Sequence, residues 1–253
     1  MAKAPLYRVL DYVFLTIVFI LAAVFAVPLR LSPRLHQWFF VRVFAVIKML
    51  WHEAFEGVRR ETLAAVDAVE SHDLELRADG AVRLLEVGAG FGANFEHMRR
   101  RVKYWNVDPN TEFQSAFLET LKKFPKVEME RWVPCYAENM KQVPDSHFDV
   151  VLITHVLCSV HNAEMVLQEC KRVLVKGGRL VFMEHVAFPE GTLGRLQQKV
   201  ASPLWWLVCC GCHLNRRGDE LIRRAGFAKV RLQEKRLDVP LIVARHVYGY
   251  AVA

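Results

Sequence analysis

From Tyr12 to Leu29 the chain reads "YVFLTIVFILAAVFAVPL", 18 positions without a charge. As one helix this run would extend about 27 Å against a hydrocarbon core of about 30 Å, which predicts a membrane anchor. A secretory signal competes, since Ala23-Val24-Phe25-Ala26 offers small residues near a cleavage point. The apolar run is longer than a usual signal core, however, and Val27-Pro28-Leu29 makes no clear cleavage site, so the anchor is the better expectation. The next stretch, Trp38 to Trp51, is apolar with two basic interruptions and a tryptophan at each end. It is expected either to lie in the headgroup region or to pack on the domain that follows. An N-terminal anchor and interfacial helix over residues 1–51 and a catalytic domain over residues 52–253 is the resulting division.

Beyond it the periodicity changes. A helix is predicted at Glu53 to Val69 and a polar connection at Ser71 to Gly80, after which short apolar runs alternate with helical patterns. Strands are predicted at Val82 to Val87, Lys103 to Val107, Val127 to Val133, Phe148 to Thr154 and Arg179 to Val186. The crossover helices fall at Ala93 to Arg101, Thr111 to Phe124 and Ala163 to Val173. Such alternation marks a parallel α/β sheet, and a final pair, Ala228 to Lys235 and Arg245 to Val252, would close it.

Composition sharpens the picture at two points. Mean hydropathy is +0.14, high for a soluble domain, and the excess sits at the N-terminus. The net charge of +7 could suggest nucleic acid, but no RNP, helix-turn-helix or zinc-finger spacing is present. Instead Arg30, Arg34, Arg42 and Lys48 follow the apolar run, outnumbering Lys3 and Arg8 before it. That bias predicts contact with lipid headgroups and a cytosol-facing catalytic domain. No nucleic-acid partner is expected. The six cysteines are spread through strands and helices and are expected to be reduced. Cys209-Cys210-Gly211-Cys212-His213 lacks a C-x-x-C pair with a distant second pair, so no metal is expected there; apolar packing or acylation near a membrane are the alternatives.

The chemistry begins at "VRLLEVGAGFGANF", Val82 to Phe95. Gly88-Ala89-Gly90-Phe91-Gly92-Ala93 fits the G-x-G-x-x-A dinucleotide fingerprint, which alone leaves NAD open. Glu86, two residues before Gly88, could face the ammonium of an amino-acid-bearing cofactor, a group no dinucleotide has, or could hydrogen-bond the turn. Asp108 closes the next strand 18 residues beyond Gly90, where a carboxylate accepts from a ribose diol, a feature that fits NAD equally well. Lys176-Gly177-Gly178 then gives a helix stop and a glycine turn before "RLVFMEH".

In combination these motifs resemble the class I S-adenosylmethionine-dependent methyltransferases over Val82 to Ala253. The resemblance implies an α/β fold: a seven-stranded, Rossmann-like sheet with helices on both faces and an antiparallel last strand, binding S-adenosylmethionine across the carboxyl ends of the strands. "LLEVGAGFGANF", "DPN", "AENM", "VLCSV" and "EHV" look like the membrane-associated thiol S-methyltransferases of the methyltransferase-like family, which also begin with a hydrophobic anchor. That likeness implies methylation of small lipophilic thiols on endoplasmic-reticulum or lipid-droplet membranes. Carried onto this chain, the cofactor residues are Glu86, Gly88, Ala89, Gly90, Gly92, Asp108, Pro109, Asn110, Ala137, Glu138 and Thr154. One departure stands out: Tyr136-Ala137-Glu138 replaces the Asp-Ala-Glu turn whose aspartate binds the adenine amino group, leaving Glu138 or the Ala137 backbone to do so.

Methyl transfer from a sulfonium is an in-line displacement that needs orientation more than acid-base machinery. Acceptor residues should lie at the carboxyl ends of strands four and five, which offer Thr154, His155, Cys158, Glu184 and His185. His185 is expected to take the thiol proton or steady the thiolate, Glu184 to orient it and His155 to line the pocket; each could instead satisfy loop backbone. The stretch Ala187 to Asn215, with Leu204, Trp205, Trp206, Leu207 and Val208, reads as an apolar cover over the acceptor, a core helix or a membrane-dipping loop. O- or C-methylation of a lipid or quinone, or a non-enzymatic scaffold, are the competing functions.

Overall fold

The structure, a computed structural model, describes the backbone of residues 5–253 and the side chains from Val9 onward. Lys3 lies outside the described residues, as does the Arg8 side chain. Three N-terminal helices, α1 (Pro5–Val24), α2 (Ala26–Leu31) and α3 (Pro33–Asp67), lead into a short α4 (Leu74–Ala78). There follow β1 (Val82–Val87), β2 (Val102–Val107), α5 (Gln114–Leu121), β3 (Val127–Val133), β4 (Phe148–Thr154), α6 (Ala163–Val173) and β5 (Leu174–His185). Helices α7 (Leu193–Val208) and α8 (Gly218–Arg224) precede the closing hairpin β6 (Lys229–Arg236) and β7 (Arg245–Val252).

The seven strands form one sheet in the order β3-β2-β1-β4-β5-β7-β6. The first five are parallel, and β7 enters antiparallel between β5 and β6. β1 and β4 occupy the middle and are covered on both faces, which is why their sequences run apolar without alternation. Chain order reverses between β1 and β4, and a crevice opens there at the carboxyl ends of the strands. The predicted polar connection is pinned by Asp149 at the start of β4. Its buried carboxylate accepts from the Ser71 hydroxyl (2.7 Å) and the amides of His72 (2.7 Å) and Arg83 (2.8 Å).

The strands fall where the pattern puts them, while two crossover helices do not. In place of a helix over Ala93 to Arg101 there is only a 3₁₀ turn, Phe95–His97. Asn94 spends its side chain on Glu86, and the Arg100 guanidinium folds back onto the carbonyls of Val69, Gly80 and Ala81, so the segment cannot wind on. Thr111 to Phe124 likewise begins as a 3₁₀ turn, capped by the Asn110 side chain, before α5. β5 starts at Leu174 rather than after the glycines, because Gly177, at φ +81°, lets the chain turn while remaining paired.

The N-terminal region differs most from expectation. The uncharged run is divided at Phe25 between α1 and α2, and among the described residues no helix is long and apolar enough to cross a membrane. Trp38 to Trp51 and the helix expected from Glu53 are parts of one helix, α3, 35 residues long, unbroken at position 51 and ending at Asp67. Its Ile47, Trp51, Phe55 and Val58 pack with α1 and α7, and its Leu63 and Val66 pack beneath β1. α1 buries Asp11, Leu15, Val18 and Ala22, spaced for one helical face, and Asp11 accepts a hydrogen bond from the Trp51 indole at 3.0 Å. Its other face leaves Tyr12, Val13, Ile17, Ile20 and Val24 exposed.

Candidate active site

The glycine turn follows β1. Gly88, Gly90 and Gly92 all have positive φ, between +54° and +73°, a conformation that costs other residues roughly 1–2 kcal/mol. Space is short as well: a Cβ on Gly88 would stand 3.0 Å from the Val156 side chain, and one on Gly92 2.5 Å from the Phe95 ring. The turn is tied to β2 through the Gly88 amide on the Val107 carbonyl (2.8 Å) and the Ala89 amide on the Asn106 side chain (3.3 Å).

Glu86 is fully buried and both its oxygens are used inside the protein. Oε1 accepts from Asn94 Nδ2 (2.6 Å) and Oε2 from the Tyr104 hydroxyl (2.5 Å). Asn94 Nδ2 also donates to Thr154 Oγ1 at 3.0 Å, so the carboxylate knits the turn to β2 and to the end of β4. Burial pushes its pKa up to about 7 against the Tyr104 and Asn94 hydrogen bonds and the charge of Arg59. Asp108 ends β2. Burial pushes it up to about 6, against hydrogen bonds from the Asn110 and Gly90 amides, the former at 2.9 Å.

Glu138 Oε1 accepts from the amides of His161 (2.7 Å) and Asn162 (3.2 Å), fastening the loop after β3 to the start of α6. Its Oε2 and Asn110 Nδ2 are buried without partners, Ala137 is buried and Pro109 is exposed. A carboxylate at a strand end, a glycine turn that admits backbone approach and unmatched polar atoms at the neighbouring loops fit an adenosine-bearing cofactor, whose ribose diol a carboxylate such as Asp108 could accept from. Above the turn, α3 lowers Phe44 onto Phe91 (ring centroids 5.8 Å, stacked), and Phe113 meets Phe91 edge-on at 4.9 Å.

Beside this lies a cleft lined by Phe40, Phe44, Ile47, Trp51 and Phe55 of α3, by Trp205, Cys209 and Cys212, and by His155, His185 and His246. His155 follows β4 with φ +58°, a strained value for a non-glycine residue, which turns it away from the strand path. His155 Nε2 and His246 Nε2 lie 3.0 Å apart, and His246 Nδ1 lies 3.4 Å from the Ala244 carbonyl. With His246 Nδ1–H donating to that carbonyl, His155 Nε2–H donates to His246, leaving His155 Nδ1 as a free lone pair. Burial holds both imidazoles neutral, His246 down to about 3 and His155 well below its ordinary value, the neighbouring histidines adding to the effect.

His185 differs. Its Nε2 is 3.1 Å from Cys212 Sγ, so this nitrogen is not the free base the sequence suggests. Burial pulls its pKa down, but the Cys158 thiol and the Glu184 carboxylate outweigh that and hold it above the ordinary range. Glu184, expected to orient an acceptor, instead receives the Val156 amide at 2.8 Å and organises the loop after β4. Burial pushes Glu184 up to about 7, against the amides of Val156, Leu157 and Cys158 and the charge of His185.

Several lining residues escape the sequence reading. His246 stands opposite His185 in the β5–β7 register and could have been found by aligning that hairpin. Phe40, Phe44, Ile47, Trp51 and Phe55 recur every three or four residues, a helical stripe visible in the sequence but ambiguous between lipid, core and cleft. Cys212 belongs to a conspicuous cluster, yet its partners Cys158 and His185 are remote in sequence.

Comparison with known proteins agrees with this geometry. Residues 85–182 match the family model described as a methyltransferase domain. Thiol S-methyltransferase TMT1A of Homo sapiens is 42% identical over 68% of this chain and 71% of its own length. Thiol S-methyltransferase TMT1B of Rattus norvegicus is 35% identical over 92% of this chain and 96% of its own. Among solved structures, a SAM-dependent methyltransferase of Thermotoga maritima shares the fold with a TM-score of 0.56 at 18% identity, covering 85% of this chain and 98% of that one. The chain belongs to the family of the thiol S-methyltransferases TMT1A and TMT1B and is an enzyme that uses S-adenosylmethionine as methyl donor.

Proposed function

We propose that the enzyme methylates the sulfur of small lipophilic thiols while resting on a membrane surface. The observation that carries this reading is the cleft itself: an aromatic chamber beside the glycine turn whose few polar groups include the neutral imidazoles of His155 and His246 and the thiols of Cys158, Cys209 and Cys212. Such a lining favours an apolar acceptor and excludes water.

When bound, S-adenosylmethionine supplies a methyl group on a positively charged sulfur. Gly88, Ala89, Gly90 and Gly92 let the backbone approach the donor closely. Asp108 accepts from the ribose diol, with Pro109 and Asn110 shaping that corner, and the unpaired Glu138 oxygen beside Ala137 accepts from the adenine amino group. Glu86, through Asn94 and Thr154, holds the turn in place. His155 Nδ1 accepts the acceptor's S–H and aims the sulfur. A free thiol is a few per cent thiolate at neutral pH, which suffices where orientation supplies most of the acceleration.

Membrane contact is assigned to the outer face of α1, where Tyr12, Val13, Ile17, Ile20 and Val24 are exposed, followed along the chain by Arg30 of α2 and Arg34 of α3. An amphipathic helix lying flat in the interface suits a helix already packed along one side. Endoplasmic reticulum or lipid droplet, with the catalytic domain toward the cytosol, is the corresponding location. The deciding experiment incubates the full chain with labelled S-adenosylmethionine and matched alkyl thiols, phenols and amines. Methylated thiols are expected; exclusive methylation of phenols or amines would overturn the reading.

A further inference from the structure

We propose that Cys158, His185 and Cys212 bind a zinc ion whose fourth position receives the sulfur of the acceptor, an inference that rests on the thiol reading above. The two Sγ atoms and a ring nitrogen of His185 all lie within 4.8 Å of one another, and all three residues are buried. Tetrahedral zinc, with bonds of about 2.3 Å to sulfur and 2.0–2.1 Å to nitrogen, sets its ligands roughly 3.5–3.8 Å apart, so small side-chain rotations complete the cage. Two cysteines and one histidine, with one position left open, form a known type of catalytic zinc set. Sulfur and nitrogen ligands exclude calcium and magnesium, which require oxygen.

The surroundings are built to hold this arrangement. The loops carrying Cys158 and Cys212 are joined by the His213 amide on the Cys158 carbonyl at 2.8 Å. Their close approach demands Gly211, at φ +96°, where a Cβ would stand 3.1 Å from the Ser159 carbonyl oxygen. Cys210 beside it is held at φ +44°, a strained value for a residue with a side chain. The Trp205 indole N–H donates to Cys212 Sγ at 3.2 Å, a contact that strengthens when the sulfur carries charge. All three ligands line the cleft, so the open position faces the acceptor's chamber.

The chemistry is balanced and brief. The incoming thiol first donates its S–H to His155 Nδ1; on coordination that S–H bond breaks, a sulfur–zinc bond forms and the proton leaves by way of that hydrogen bond to solvent, with nothing oxidised or reduced. Two protein thiolates already neutralise the ion, so the third sulfur brings the assembly to a net charge of −1 and keeps a nucleophilic lone pair. Zinc thus raises the thiolate fraction from a few per cent to nearly complete at neutral pH.

The test uses the full-length protein, reduced and purified without chelator, with its metal measured by elemental mass spectrometry. About one zinc per chain is expected, with Cys158→Ser and Cys212→Ser each weakening retention by at least about tenfold and Cys135→Ser not. With cobalt(II) in place of zinc, a sulfur-to-cobalt charge-transfer band should appear and shift when an alkyl thiol is added without the methyl donor. A folded wild-type protein that takes up no stoichiometric zinc, retains it equally in both serine variants, or carries a Cys158–Cys212 disulfide overturns the proposal. Thiol methylation undiminished in metal-free protein would remove the zinc alone. Zinc binding together with methylation of phenols but not thiols would remove the thiol reading and leave the metal site standing.

Discussion

The two halves of the site are assembled in opposite ways. The cofactor half draws on two short stretches, Glu86 to Asn94 and Asp108 to Asn110, plus Ala137 and Glu138, and is held by buried carboxylates. The acceptor half gathers residues from α3, from the loops after β4 and α7, and from β5 and β7, and consists of aromatic rings, imidazoles and thiols. The first is polar because a nucleoside offers a diol and a base edge that hydrogen-bond. The second is apolar because its proposed acceptor offers a single sulfur and a greasy body. A donor common to many enzymes is read by a local motif, whereas the acceptor is read by whatever the tertiary fold brings over it.

This contrast is most easily broken at Asp108. Replacing it with alanine would remove the two charge-assisted hydrogen bonds proposed to the ribose, at about 1.5–3 kcal/mol each, so affinity for S-adenosylmethionine should fall on the order of a thousandfold by calorimetry. Unchanged affinity would move the ribose elsewhere.

Glu86 tests whether the cofactor half is held by a buried carboxyl. Its pKa is about 7 in the folded protein against 4.5 as the ordinary value. A carboxyl raised on folding gives its full stabilisation below pH 4.5 and loses it as pH rises through about 7, a loss of about 3 kcal/mol. Glu86→Gln lacks this loss, so its stability relative to the parent should climb by that amount between pH 4.5 and 7 in urea titrations. A difference that stays flat across this range would sink the assignment.

His155→Ala sharpens the other side. It should raise the thiol KM or lower kcat by about tenfold, as expected for one lost orienting hydrogen bond, with affinity for the methyl donor unchanged. A matching loss of donor affinity would show the halves are not separable. The smallest effect is expected at the outer face of α1. Ile17 and Ile20 are 52% and 58% exposed, so Ile17→Ser with Ile20→Ser should change folding stability by no more than about 0.5 kcal/mol yet reduce flotation with anionic liposomes several-fold.

Legibility in the sequence follows the same division. The central strands β1 and β4 are readable because buried parallel strands are short apolar runs bounded by turns, and the antiparallel closing hairpin because apolar and polar positions alternate along β6. The helix expected after the glycine turn fails since Asn94 and Arg100 are drawn into tertiary hydrogen bonds that propensity does not register. Glu86 is legible as a site residue but not in its partners, because Tyr104 reaches it from the adjacent strand. His185 is legible too, although its role changes once Cys212, 27 positions away, closes on it.

The sequence by itself determined the sheet strands, the glycine turn after β1 and the carboxylate at the end of β2, since each is encoded within a few consecutive residues and enforced by local sterics and hydrogen bonding. Only the tertiary structure decided that the N-terminal helices pack on the domain and that three histidines and two cysteines meet under an aromatic helix. Those contacts join segments as much as 191 residues apart, as when Phe55 meets His246, and an apolar stripe states that it must be covered without stating by what.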